Sequence, residues 1–331
     1  MRLIAFGFLV LLASISAFAE ADKPARIGVV FYTVPLRDTA GAVPANPIAR
    51  AFVEGLREKG WVDGRNAHIA WRSAQGEYQR LPALVEELVR MPVDILVASG
   101  DDIALESIKR SPALPVVMAS ADDPIGRGLI ASLARPGGSI TGVGNWVGRN
   151  LNAKRLALLK EAVPGVTRVA VLAPLAGIER GFLPETAAAA RSLGISIFGI
   201  GADRFADLEP AFEAALRSGA NGIFVTDYPL AFAKTNQVRI SELAVKHRLP
   251  AIHSASTAAD EGALLTYGAD ISGNYRRAGH LVDKILRGAK PGDIPFEEPA
   301  KMELVVNLKA AKAIGLTIPT SVLIQASRTI D

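Results

Sequence analysis

Apolar positions come in short runs that alternate with stretches of helical spacing along most of the chain. Residues 26–31 (Arg-Ile-Gly-Val-Val-Phe) read as a first buried strand. Asn46-Pro47 then supplies an N-cap followed by proline at the first helical position. Ala49, Phe52, Val53 and Leu56 fall on one helix face, and Gly60 ends that helix. Residues 67–71 predict a second strand, and Leu81, Leu84, Val85, Leu88 and Val89 mark the next helical face. Strands follow at 94–98 and 116–119, and their unbroken apolar character suits parallel strands covered on both faces. After Asn145 the rhythm restarts, with helices predicted over 151–162, 185–193, 208–216, 231–247 and 275–286. Between them lie strands at 168–172, 195–200, 222–225, from 251, and 263–267. Such alternation implies right-handed βαβ units in open parallel sheets. Two runs of about four units each predict two similar α/β lobes.

The stretch 135–144 is the richest in glycine and falls between the two runs. It reads either as the lead into a crossing between lobes or as a plain surface loop. At the other extreme of composition, residues 1–19 combine a basic start at Arg2, an apolar run from Leu3 to Ile15, and Ala17-Phe18-Ala19 ahead of Glu20. That is the pattern of a secretory signal peptide cleaved after Ala19. The alternative, a membrane anchor, falls short of the roughly 20 apolar residues a span requires. The expected compartment is the periplasm. No cysteine occurs in the chain, so stability there comes from packing, with neither disulfides nor a lipid attached through a thiol.

Loss of Arg2 with the leader leaves 36 basic against 33 acidic side chains. Such a small, scattered excess gives no nucleic-acid footprint. The sequence holds no phosphate-binding G-x-x-x-x-G-K-[ST] loop and no G-x-S-x-G nucleophile elbow. Gly142-Val-Gly144 lacks the third glycine of a dinucleotide fingerprint. His68, His247, His253 and His280 have no ligand-like spacing, so no metal is expected. Adjacent acids at Asp101-Asp102, Asp122-Asp123 and Glu297-Glu298 do not form an acid–base pair by adjacency alone. Neither a catalytic residue nor a cofactor is expected.

Several segments carry a family likeness. Ala51-Phe-Val-Glu-Gly-Leu-Arg-Glu-Lys-Gly-Trp-Val-Asp-Gly-Arg-Asn66 resembles the F-x-x-G-L-x-x-x-G-W-x-x-G-x-N signature of a group of ABC-transporter substrate-binding proteins, the TrpX-like group. Asp123-Pro-Ile-Gly126 and Leu133-Ala-Arg-Pro-Gly-Gly-Ser-Ile-Thr-Gly142 resemble a second block of that group. Segments 244–252, 262–268, 285–291 and 304–316 match four more. The resemblance implies a periplasmic binding protein fold of type I: two doubly wound parallel-sheet lobes joined by a three-crossing hinge. It implies crossings near Gly144-Asn145, Asp270 to Gly273, and Ala300 to Glu303. The first lobe would then comprise residues 24–144 plus 274–300, and the second 145–273 plus 301–331. Expected partners are a small-molecule ligand, an amino acid or small aromatic compound, and the membrane subunits of an ABC permease. The protein would meet the membrane only through that permease and act as a monomer. A sensor that reports to a membrane receptor and an exported hydrolase are the rival readings; the latter needs a nucleophile beside a base.

In open α/β sheets, ligands sit beyond the carboxyl ends of the strands. That nominates Phe31 and Tyr32, then Ser99, Gly100 and Asp101, then Ser120 and Asp122 in the first lobe. In the second lobe it nominates Asp227, Tyr228, Ser254 and Tyr267. Ser99-Gly100 leads into a helix start, where free N–H groups attract a carboxylate. Asp101 or Asp102 would instead cap that start and repel an anion, which favours a cationic, polar or differently oriented ligand. Asp227 would hold an ammonium or cap the next helix. The aromatics would form apolar walls or pack within a lobe.

Overall fold

The computed structural model describes residues 23–145, 151–179 and 184–331. The leader expected over 1–19 and the residues just after the first crossing lie outside this set. The first lobe runs β1 (Ala25–Phe31), α1 (Pro47–Glu58), β2 (Ala67–Ser73), α2 (Leu81–Arg90), β3 (Ile95–Ala98), α3 (Asp101–Arg110), β4 (Val116–Ala121) and β5 (Ile140–Gly144). Its five parallel strands are ordered β2-β1-β3-β4-β5. The second lobe runs α4 (Leu151–Ala162), β6 (Arg168–Ala173), α5 (Leu175–Glu179), α6 (Pro184–Ser192), β7 (Ser196–Gly201), α7 (Leu208–Arg217), β8 (Gly222–Val225), α8 (Pro229–Phe232), α9 (Lys234–Lys246), β9 (Ala251–His253) and β10 (Leu265–Ala269). The chain then forms α10 (Ile271–Leu286), β11 (Met302–Asn307), α11 (Leu308–Ala313), α12 (Thr320–Gln325) and β12 (Arg328–Ile330). The second sheet has seven strands, ordered β12-β11-β10-β9-β8-β6-β7.

Most predicted elements form for the expected reasons. The Asn46 side chain accepts from the backbone N–H groups of Ile48 and Ala49, with Pro47 opening α1. Differences arise where tertiary pairing overrides the local pattern. The glycine-rich stretch contains strand β5, which pairs with β4 and bonds to Glu297 through Gly144 N–H. The helix expected over 231–247 is broken at Ala233, whose extended backbone (φ −71°, ψ 128°) separates α8 from α9. Helix α10 begins at Ile271 rather than Tyr275, because the Asp270 carboxylate caps Gly273 N–H. Strand β11 runs antiparallel to β10, an exception to the parallel expectation.

Helix α10 returns the chain from the second lobe to the first and lies against α1. Glycines make this close approach: a Cβ on Gly55 would lie 2.1 Å from the Arg276 carbonyl oxygen, and one on Gly279 would lie 2.8 Å from Leu56 N. Trp61 donates its indole N–H to Asp283 at 2.9 Å, so the Gly-Trp end of the signature fastens the same helix. The three crossings also bond to one another. Glu297 bridges Val143 on the first, and Asp270 N–H donates to Lys301 oxygen between the second and third. Asn274 donates to the carbonyl of Gly144 and to the Asn145 side chain, tying the second crossing to the first.

Candidate functional site

The loops at the carboxyl ends of both sheets converge near the crossings. There a shallow recess is lined by Asn145, Arg155, Asp227, Phe232, Ser254, Ala255, Ser256, Ala269 and Ile271. Asp227 and Ser254 are thus brought together on the second-lobe wall. Asp227 pairs with Arg155 at 3.1 Å and keeps about a third of its side chain exposed. It caps no helix: the cap of α8 is Tyr228, which makes no side-chain capping bond.

Arg155 escaped the sequence reading. Its side chain is almost fully buried (3 % exposed), with Nε donating to the Tyr267 carbonyl at 2.8 Å and Nη1 to Asn152 at 3.0 Å. A longer contact of 3.5 Å reaches the Ser254 carbonyl. The planar guanidinium therefore gathers the ends of β9 and β10 and presents a cation at the recess. The available signal was a basic residue on an apolar helix face, since Arg155, Leu159 and Ala162 share one side of α4.

Of the other second-lobe nominees, Ser254 donates its hydroxyl to Val225 oxygen at 3.0 Å. Ser256, its neighbour in the lining, does the same to Ala269 oxygen. Both keep acceptor capacity for a solute. Tyr267 contributes its carbonyl through Arg155, while its ring packs on the core beneath the sheet. Tyr228 is buried in the core on the opposite face of that sheet, and burial drives its phenol upward in pKa.

In the first lobe, Phe31 is placed in the core instead of on the cleft. It stacks on Trp71 (centroids 5.7 Å apart) and Tyr275 (5.6 Å) and is 1 % exposed. Tyr32 stacks on Tyr78 at 5.0 Å, and its hydroxyl accepts from Asp102 N–H at 3.2 Å. Burial pushes both phenols up, so each stays protonated. Gly100 permits this arrangement, because a Cβ there would lie 2.4 Å from the Tyr32 ring. The start of α3 is thereby occupied by a phenol of the same lobe. Ser99 lies beside Tyr275, and its hydroxyl has no partner of hydrogen-bond geometry although the phenol is near enough to feel it.

The two nominated acids of this lobe differ. Asp101 is buried and accepts from the backbone N–H groups of Asp122 (3.1 Å) and Asp123 (2.8 Å), so it pins the loop after β4. Burial raises its pKa, partly offset by those two N–H donors. Among the described residues Asp122 accepts from the Asn145 amide at 3.1 Å; the same amide donates to Ser120 at 2.7 Å. The residue is exposed at the surface, yet protein packs around its carboxyl, and that enclosure with the charges of Asp227 and Asp101 pushes the carboxyl above the usual carboxylate range.

Among the described residues no group of three or more metal-ligating side chains could hold an ion, and no helix is long and apolar enough to cross a membrane. A tyrosine-binding protein of Clostridioides difficile (strain R20291) is 22 % identical over 274 residues, covering 81 % of this chain and 76 % of that protein. Two solved structures share the fold, each at TM-score 0.80 and 24 % identity over 93 % of this chain and all of theirs. One is a conserved domain protein of Vibrio cholerae, the other a domain from Streptococcus pneumonia in complex with L-Trp. Residues 45–330 match the profile described as ABC transporter substrate binding protein, and the chain belongs to that family.

Proposed function

We propose that this protein is the exported solute-binding component of an ABC importer, which captures an amino acid or small aromatic compound between its lobes and delivers it to the permease. The observation that carries this reading is the recess at the second-lobe strand ends beside the crossings, where Arg155 and Asp227 place opposite charges. A zwitterion presents charges of both signs, so this pairing suits an amino acid. The relatives named for tyrosine and complexed with L-Trp support the same class.

Asp122, Ser120, Asp227 and Ser254 are the nominated residues nearest the recess, with Arg155 and Asn145 added. Tyr32, Ser99, Gly100 and Asp101 form the first-lobe wall behind Asp122. The lobes move as units of 24–144 plus 274–300 and 145–273 plus 301–331. Solute stabilises the closed arrangement by binding it better than the open one, and the permease reads the closed shape. The leader over 1–19 directs the chain to the periplasm, where it works as a monomer. Isothermal titration with L-tyrosine, L-tryptophan and 3,4-dihydroxybenzoate tests the ligand class. Saturable binding of one of them is expected, and absence of heat with all three would remove this assignment.

A further inference from the structure

We propose that the second lobe binds an internal water molecule behind the cleft wall, held by His253 in a gap between α9 and α11. The gap is lined by Ser241 and Ala244 of α9, by His253, by Gly262 and Leu264, and by Ala310 of α11. It shares no residue with the recess lined by Arg155 and Asp227, so the proposal stands apart from any solute bound there. Gly262 keeps the gap clear. Its backbone is left-handed (φ +96°), and a Cβ there would lie 3.3 Å from the Ser241 Cβ. The space admits about one water molecule.

The polar groups at the gap call for such a partner. His253 is 1 % exposed, and neither Nδ1 nor Nε2 has a hydrogen-bond partner. Burial keeps the ring neutral. A neutral imidazole carries one N–H donor and one lone pair, and buried groups of both kinds are ordinarily satisfied. Thr266 is the residue aligned with His253 across β9 and β10. The preceding aligned pair, Ile252 and Leu265, enters the core beneath α4. Alternation along the strands therefore turns His253 and Thr266 together to the other face. Thr266 is wholly buried, and its hydroxyl has no partner either. Ser241 donates its hydroxyl to the Gln237 carbonyl at 2.8 Å and keeps acceptor capacity. Water is donor and acceptor at once, and it fits where a larger polar molecule does not. A metal ion does not suit the gap, since among the described residues no group of three or more metal-ligating side chains is present. The bound water would fix the ring orientation and tautomer of His253, directly before Ser254 of the cleft wall.

A high-resolution crystal structure of the protein without added solute tests this. A water peak is expected about 2.7–3.2 Å from one His253 ring nitrogen and within the same reach of the Ser241 or Thr266 hydroxyl. His253→Leu keeps the bulk but removes both nitrogens, and its structure should lose the peak. In solution, the 15N-labelled wild-type ring should show a single tautomer and magnetisation transfer from a long-lived water. A wild-type gap without density, a peak that persists in His253→Leu, or a ring with no transfer from water overturns the proposal. The crystal and the solution measurement on the wild type do not depend on the variant folding.

Discussion

The two walls of the cleft are built by different means. The first-lobe wall is held by ring stacking and by a carboxylate bonded to backbone: Phe31 between Trp71 and Tyr275, Tyr32 on Tyr78, Asp101 on two N–H groups. The second-lobe wall is held by one buried cation, Arg155, and stands directly after His253, which is fully enclosed with neither ring nitrogen bonded. Stacking is insensitive to pH and salt, whereas a buried base depends on its protonation state. The first wall should therefore answer to packing mutations and the second to charge. Asp122, whose carboxylate accepts from the Asn145 amide, is the exception on the first.

The largest effect should come from emptying the first wall. Phe31→Ala is expected to cost about 3–5 kcal/mol in equilibrium denaturation, as for a buried aromatic. A cost near zero would put the ring on the cleft after all. The second wall should respond to acid. Burial holds the His253 pKa down to about 3, so the ring is neutral when folded and the unfolded chain binds the proton first. Its contribution is complete above about pH 6.5 and is lost as pH falls toward about 3, amounting to about 2 kcal/mol by about pH 5. His253→Leu should flatten that part of the stability profile, and an unchanged slope would place the acid sensitivity elsewhere. Between the acids the contrast is smaller and sharper. Asp101→Asn loses one of two acceptors for the part-buried N–H groups of Asp122 and Asp123 and should cost about 1 kcal/mol. Asp122→Asn removes a carboxylate whose charge is disfavoured in the folded chain and should stabilise it at neutral pH in the same denaturation. Equal costs would erase the distinction between a pinned carboxylate and an open one.

Much of the fold was legible because buried parallel strands and amphipathic helices carry distinct periods. β1, α1, β2 and α2 appear where the apolar spacing and the Asn46-Pro47 start place them. β5 was hidden because glycines dilute its apolar run, and its strand character comes from pairing with β4. The antiparallel turn of β11 was hidden because direction is set by the route through α10, which no local pattern records. At the site, sequence reached the strand ends but could not tell which residue at each end faces the cleft. Phe31 and Tyr32 are neighbours, yet one ring enters the core while the other lies at the wall. Arg155 went unnoticed because helical periodicity marks its position as interior, and interior positions are ordinarily read as packing.

The most direct measurement is a crystal structure grown with whichever of L-tyrosine or L-tryptophan titrates. The account predicts solute density between the lobes, against Arg155 and Asp227, with Asp122 and Asn145 facing it from the other side. Density for the bound solute at any place other than this recess, with the recess filled by protein side chains alone, would contradict it.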